Sequence, residues 1–104
     1  PALAGENISV GDLTLDPVAH KVQRRGKDLK LGPTEYRLLQ FFMESPGRVF
    51  SRGQLLDGVW GTESDIELRT VDVHIRRLRK AIEVEGLKDP IRTVRSAGYA
   101  LEAV

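Results

Sequence analysis

The sequence predicts an α+β fold, a winged helix-turn-helix in which a four-stranded antiparallel sheet precedes three helices and a C-terminal β-hairpin. Three observations carry this reading. Residues 8 to 31 alternate in short runs with turn residues every six to nine positions, the pattern of an antiparallel meander. From Pro33 to about residue 84 the apolar period becomes helical, with breaks at Pro46-Gly47 and Gly61. Beyond residue 90, "IRTVRSAGYALEA" alternates again around Ser96-Ala97-Gly98, as a hairpin does.

The meander consists of "ISV", "LTLD", "HKVQRRG" and "KDLKL", parted by Gly11-Asp12, Asp16-Pro17 and Gly26-Lys27. In "GPTEYRLLQFFMESPG" Pro33 takes the first helical position, where its missing N–H is no loss, and Glu35 falls in the first turn. Leu38, Leu39, Phe42 and Met43 then form one apolar stripe on a helix of about 12 residues. "RVF" at 48 to 50 is a short β-prone connector. Ser51 and Gln54 have capping-box spacing, so a second, shorter helix starts there, carries Leu55, Leu56 and Val59 inward and stops at Gly61. "TESDIEL" links it to a third helix, expected from 66 to 84.

A chain of 104 residues with 40 % hydrophobic content fits one domain. Residues 1 to 7, "PALAGEN", read as the remnant of an interdomain linker, leaving 8 to 104 as the domain. The absence of cysteine excludes a disulfide framework, a cysteine zinc site and thiol catalysis, and suits a cytoplasmic location. No apolar run approaches the roughly 20 residues of a membrane span.

The net charge of +1 conceals an asymmetry. Residues 1 to 65 carry a net of −1 and residues 66 to 104 a net of +2. The excess lies in "RTVDVHIRRLRK", residues 69 to 80, where only Asp72 opposes five basic side chains. At about 100° per residue, Leu68, Val71, Ile75, Leu78 and Ile82 form a core stripe, and Arg69, Thr70, Val73, Arg76, Arg77 and Lys80 occupy the opposite side. A solvated face would alternate signs for mutual support, whereas these cations repel one another unless an anion neutralises them. Val73, apolar in their midst, suits a thymine methyl in a major groove, and Arg77 suits the O6 and N7 of guanine. Asp72 favours the helix dipole, steers Arg76 or accepts from a cytosine amino group.

His74 has only His20 as a fellow imidazole, too few ligands for a metal site, and fits a phosphate hydrogen bond or a satisfied boundary position. In the hairpin, Arg95 precedes the turn, where a wing would carry it into a narrow minor groove, with Thr93 and Tyr99 flanking it as phosphate holders. Glu63, Asp65 and Glu67 make the preceding loop acidic, so it should face away from phosphates. Trp60 reads as a core or boundary residue or as an anchor for a partner protein. Without a nucleophile elbow, a phosphate-cradling glycine loop or HExxH, the chain is not expected to be an enzyme or to need a cofactor.

At "LDPVAHKV", "GPTEYRLLQFFMESPGRVFSRGQLLDGVWG", "RTVDVHIRRLRKAIE" and "RTVRSAGYAL" the chain resembles the OmpR/PhoB group of bacterial response-regulator effector domains. The segments "FFM", "VWG" and "RTVDVHIRRLRK" look most like the group's phosphate-starvation regulators. The resemblance implies a double-stranded-DNA-binding activator fused behind a phosphorylatable receiver domain, with a sensor histidine kinase upstream. It also implies head-to-tail binding to direct repeats. By position, Arg69, Thr70, His74, Arg76 and Arg79 become phosphate or groove-edge contacts, with Lys80 beside them, and Val73 and Arg77 become base readers. Arg95 becomes the minor-groove reader, and Trp60 and Tyr99 flanking phosphate contacts. The loop bearing Gly61, Glu63, Asp65 and Glu67 becomes a surface for RNA polymerase and its sigma subunit. The hairpin departs from the family's Arg-Gly-x-Gly-Tyr: Ser96 replaces the first glycine and Ala100 a following basic residue, which puts the turn and one electrostatic contact in question.

A competing reading from the residues alone is a winged-helix module that holds an acidic protein. A mobility shift without sequence preference on genomic fragments would favour it. RNA fits less well, because A-form geometry closes the major groove.

Overall fold

Alternation along the first strands decides which side of the sheet is buried. In a computed structural model, which describes residues 7–61 and 67–103, β1 (Ile8–Val10), β2 (Leu13–Asp16), β3 (Lys21–Arg24) and β4 (Lys27–Leu29) pair antiparallel in chain order. The register sets Ile8, Leu15, Val22 and Leu29 in one cross-strand row, and Val10, Leu13 and Arg24 in the next. Residues two apart share a face, so both rows point into the core. Val10, Leu13, Leu15 and Val22 are buried there.

Arg24 is the exception in chemistry but not in burial, at 1 % exposed. Its Nε lies 3.1 Å from Asp12 Oδ1, its Nη1 donates to the Ile82 carbonyl at 2.8 Å, and its Nη2 donates to the Lys88 carbonyl. A guanidinium presents five donors in a fixed plane, and here they tie the sheet to the end of the third helix and to the loop beyond it.

α1 (Pro33–Met43) buries Leu38, Leu39, Phe42 and Met43. Both bonds of the expected capping box are present at α2 (Arg52–Leu55): Gln54 N donates to Ser51 Oγ at 3.1 Å and Ser51 N to Gln54 Oε1 at 2.9 Å. The second helix is not uniform, however. It widens into a π-helical turn at Leu56–Trp60, beside α1. Gly58 permits this approach, since a Cβ there would stand 2.3 Å from the Phe41 ring. Leu55 and Val59 are buried and Leu56 is half-buried.

α3 (Leu68–Ile82) is shorter at both ends than the sequence suggested. Val71, Ile75, Leu78 and Ile82 form its core stripe. Leu68 does not join it: the core stops at Val71, and Leu68, 49 % exposed, opens the mouth of a groove between α2 and the hairpin. Glu83 leaves the helical conformation at the C-terminus, where one of the otherwise unpaired last carbonyls, that of Ile82, is met by Arg24.

β5 (Ile91–Val94) and β6 (Gly98–Leu101) make the hairpin. The connector expected at 48 to 50 joins it through a single bridge, with Phe50 N to Tyr99 O at 2.8 Å and Tyr99 N to Phe50 O at 2.9 Å. The two backbones run so close that a Cβ on Gly98 would lie 1.9 Å from the Phe50 carbonyl oxygen. Only glycine fits this seam. Ala100 is fully buried, so a cation at this position would not reach solvent without rearrangement.

In the turn, Ser96 adopts φ 65, the left-handed region that costs an L side chain roughly 1–2 kcal/mol. Ser96→Gly is therefore expected to raise stability by up to about 1 kcal/mol after the entropic penalty of glycine. A lower urea midpoint in the variant would contradict strain at this turn.

Candidate nucleic-acid interface

One helix turned about its axis presents three different environments, and α3 uses all of them. The core stripe seats it. At about 100° per residue, Arg69, Val73, Arg76, Arg77 and Lys80 lie on the outer side, and all five are exposed, Val73 by 40 %. Among the described residues, Arg76, Arg77 and Lys80 have no ion pair. Arg69 Nε lies 2.5 Å from Glu67 Oε2, with both side chains well exposed. Such a pair contributes little and is readily exchanged for another anion. Thr70 is half-buried at the edge of this face.

The flank toward the hairpin is structural. Tyr99 OH donates to Asp72 Oδ1 at 2.6 Å, and Arg52 Nε lies 3.0 Å from the same oxygen. Burial first, and then the bond to Asp72, hold the Tyr99 phenol above its usual pKa, so the hydroxyl remains a donor. Arg79 Nη2 donates to the Ile91 carbonyl at 2.9 Å and to Thr93 Oγ1 at 2.7 Å. Its Nε lies 3.1 Å from Asp89 Oδ2, an ion contact without hydrogen-bond alignment.

Tyr99 and Arg79, both candidate phosphate contacts, also hold the hairpin to α3: the Tyr99 ring is buried and its hydroxyl is engaged, and Arg79 Nη2 braces the base of the hairpin. Asp72 neither stands free for a base nor pairs with Arg76. It holds Arg52, a cation that the sequence reading passed over although the capping box placed it at the exposed start of α2. Thr93 is exposed and accepts from Arg79.

On the opposite flank, His74 Nδ1 lies 2.5 Å from Glu35 Oε1, and its ring stands 5.3 Å from that of Trp60 at an angle of 54°. The expected phosphate role of His74 thus leaves only its other ring nitrogen available. Trp60 is half-buried against the core, the boundary position read from the sequence. No periodicity argument could pair Glu35 with His74, 39 residues apart.

Arg95 is exposed at the turn of the hairpin. Arg52, Leu68, Arg95 and Gly98 help to line a groove of about 420 Å³ between α2, the start of α3 and the wing. In the expected polymerase surface, Gly61 ends the π-helical turn with φ 94 and Glu67 is exposed ahead of α3. Glu63 and Asp65 lie outside the described residues, as does most of the 1–7 linker segment.

A four-stranded antiparallel sheet, three helices and a C-terminal hairpin make this a winged-helix domain. A family model described as "Transcriptional regulatory protein, C terminal" matches residues 26–101. The chain belongs to that family, the OmpR/PhoB-type DNA-binding domains. It is 55 % identical over 103 residues to the phosphate regulon transcriptional regulatory protein PhoB of Rhizobium meliloti, covering 99 % of this chain and 45 % of that one. PhoB of Pseudomonas aeruginosa is 58 % identical over 92 residues, 88 % of this chain and 40 % of the relative. The chain thus spans less than half the length of these relatives. Among solved structures, the response regulator AdeR DNA binding domain in complex with an intercistronic region superposes with a TM-score of 0.83 at 34 % identity, covering 94 % of this chain and 100 % of that one. The Klebsiella pneumoniae RstA DNA-binding domain in complex with the RstA box gives 0.81 at 33 % identity, covering 95 % and 99 %. No described helix is long and apolar enough to cross a membrane.

Proposed function

We propose that this domain binds double-stranded DNA sequence-specifically and activates transcription in the response to phosphate starvation, as the output domain of a cytoplasmic two-component response regulator. The observation that carries the reading is the outer face of α3, where Val73 lies among Arg69, Arg76, Arg77 and Lys80, three of them without an ion pair among the described residues. In a major groove, Val73 meets a thymine methyl and Arg77 bonds a guanine in two places, while Arg69, Thr70, His74, Arg76 and Lys80 meet phosphates. Arg95 enters the adjacent minor groove. The similarity to PhoB supports binding to direct repeats, control by a receiver domain and a sensor histidine kinase, and contact with the sigma subunit of RNA polymerase through the 61–67 segment.

The test separates reading from holding. Arg77→Ala is expected to lose about 1–3 kcal/mol on the repeat sequence and to relax discrimination at one base position, whereas Arg76→Ala weakens all duplexes alike. Equal losses on specific and random DNA for both variants, measured by fluorescence anisotropy, would refute these roles.

A further inference from the structure

Apart from Arg24, Glu35 is the only buried charged residue among the described ones, at 9 % exposed. It stands in the first turn of α1 and does not touch the outer face of α3. Its seat is tight: a Cβ at Gly32 would lie 2.5 Å from Glu35 Oε2. Its Oε1 meets His74 Nδ1, and Trp60 packs against the ring from the π-helical turn. The imidazole therefore has a set orientation, yet its side chain stays 16 % exposed.

We infer that Glu35 is a positioning residue for DNA binding: by fixing the tautomer of His74, it makes a contact between His74 Nε2 and a phosphate conditional on the uptake of one proton. This rests on the DNA-binding reading above. A carboxylate only accepts, so the hydrogen of a neutral His74 sits on Nδ1 and Nε2 carries a lone pair. A phosphate oxygen also only accepts, and it meets that lone pair without a hydrogen. Once a proton from solvent adds to Nε2, the imidazolium donates to Glu35 with one nitrogen and to the phosphate with the other. One proton is bound for each contact made.

The charged groups facing the ring are few. Glu35 faces it from α1. On its own helix Arg77 stands one turn further on, where residues three apart are neighbours. The π-helical turn presents the uncharged indole of Trp60. Among the described residues, Glu35 is the acidic group within ion-pair distance of the ring.

The experiment uses the 104-residue chain with two duplexes of equal length, one containing direct repeats and one of random sequence. From pH 8 to pH 6 at constant salt, the affinity should rise by the same factor on both duplexes, because the contact is to the backbone. In Glu35→Gln the rise should be smaller than in the wild type, because the glutamine amide can donate to Nδ1 and leave Nε2–H facing the phosphate without the uptake of a proton. His74→Gln should flatten it as well. Imidazole 15N spectra of the DNA-free protein at pH 8 should show Nδ1–H in the wild type and a shift toward Nε2–H in Glu35→Gln. Nε2–H in the wild type, or equal pH dependence in the wild type and Glu35→Gln, would overturn the inference. Tight binding independent of pH overturns the positioning role alone, whereas no binding to either duplex at either pH removes the DNA-binding reading and this role with it.

Discussion

Replacing Arg24 by alanine is expected to lower the unfolding free energy by about 3–5 kcal/mol, the usual cost of removing one member of a buried ion pair. The loss is more than that of a salt bridge. Truncation leaves Asp12 without its cation and strips side-chain donors from the carbonyls of Ile82 and Lys88. Unmatched buried polar groups are costly because water no longer compensates them. A chain of this size has roughly 5–15 kcal/mol of stability in total, so the variant should lie close to its folding threshold. Urea denaturation checks this, and the double variant with Asp12→Ala should lose less than the sum of the two single changes, since one orphaned charge is removed. A loss below about 1 kcal/mol for Arg24→Ala would mean that the guanidinium is matched equally well by water.

The second large effect concerns the ligand. If one domain neutralises about five phosphates, log affinity falls with log salt at a slope of about −4 to −5. Raising salt from about 50 to 200 mM then weakens binding to a repeat-containing duplex by about 500-fold. A slope near zero would mean that the cations on α3 do not displace counterions from DNA, and the proposed function would fall with it. Lys80→Ala and Arg76→Ala should each make the slope shallower by about one unit. Arg79→Ala should change it less, because that side chain is bound to the hairpin.

Periodicity made most of the architecture legible. The meander, the three helices, the capping box at Ser51 and the hairpin all lie where alternation and turn residues place them, because these signals are local. What was not legible depends on contacts between distant segments. Arg24 has no role in the meander read from the sequence, although it alternates with Val22 on the inward face. Nothing in the linear order announces that a carbonyl 58 residues away will receive it. Leu68 shares the angular sector of the core stripe but lies beyond the last layer of core residues, a matter of axial position that helical projection ignores. Similarly, the outward sector of α3 could be recognised by its charge, whereas Arg79, His74 and Tyr99 depend on which element packs beside each flank. The π-helical turn escaped because it lies where Gly58 packs closely against Phe41 of another helix, a contact that the linear order does not show.

The bracing of the hairpin by Arg79, with the second tie from Asp72 to Tyr99, bears on how a duplex would be accommodated. Helix and wing behave as the two jaws of a caliper whose gape is set before contact. On the proposed reading, a duplex whose minor groove did not fall under Arg95 when its major groove met Val73 would have to bend or twist, and the energy of that distortion would depend on base steps that no side chain touches. The selectivity of the proposed DNA reader would therefore extend to the pliancy of the intervening DNA, and loosening the Arg79 brace would blur it without altering a single base contact.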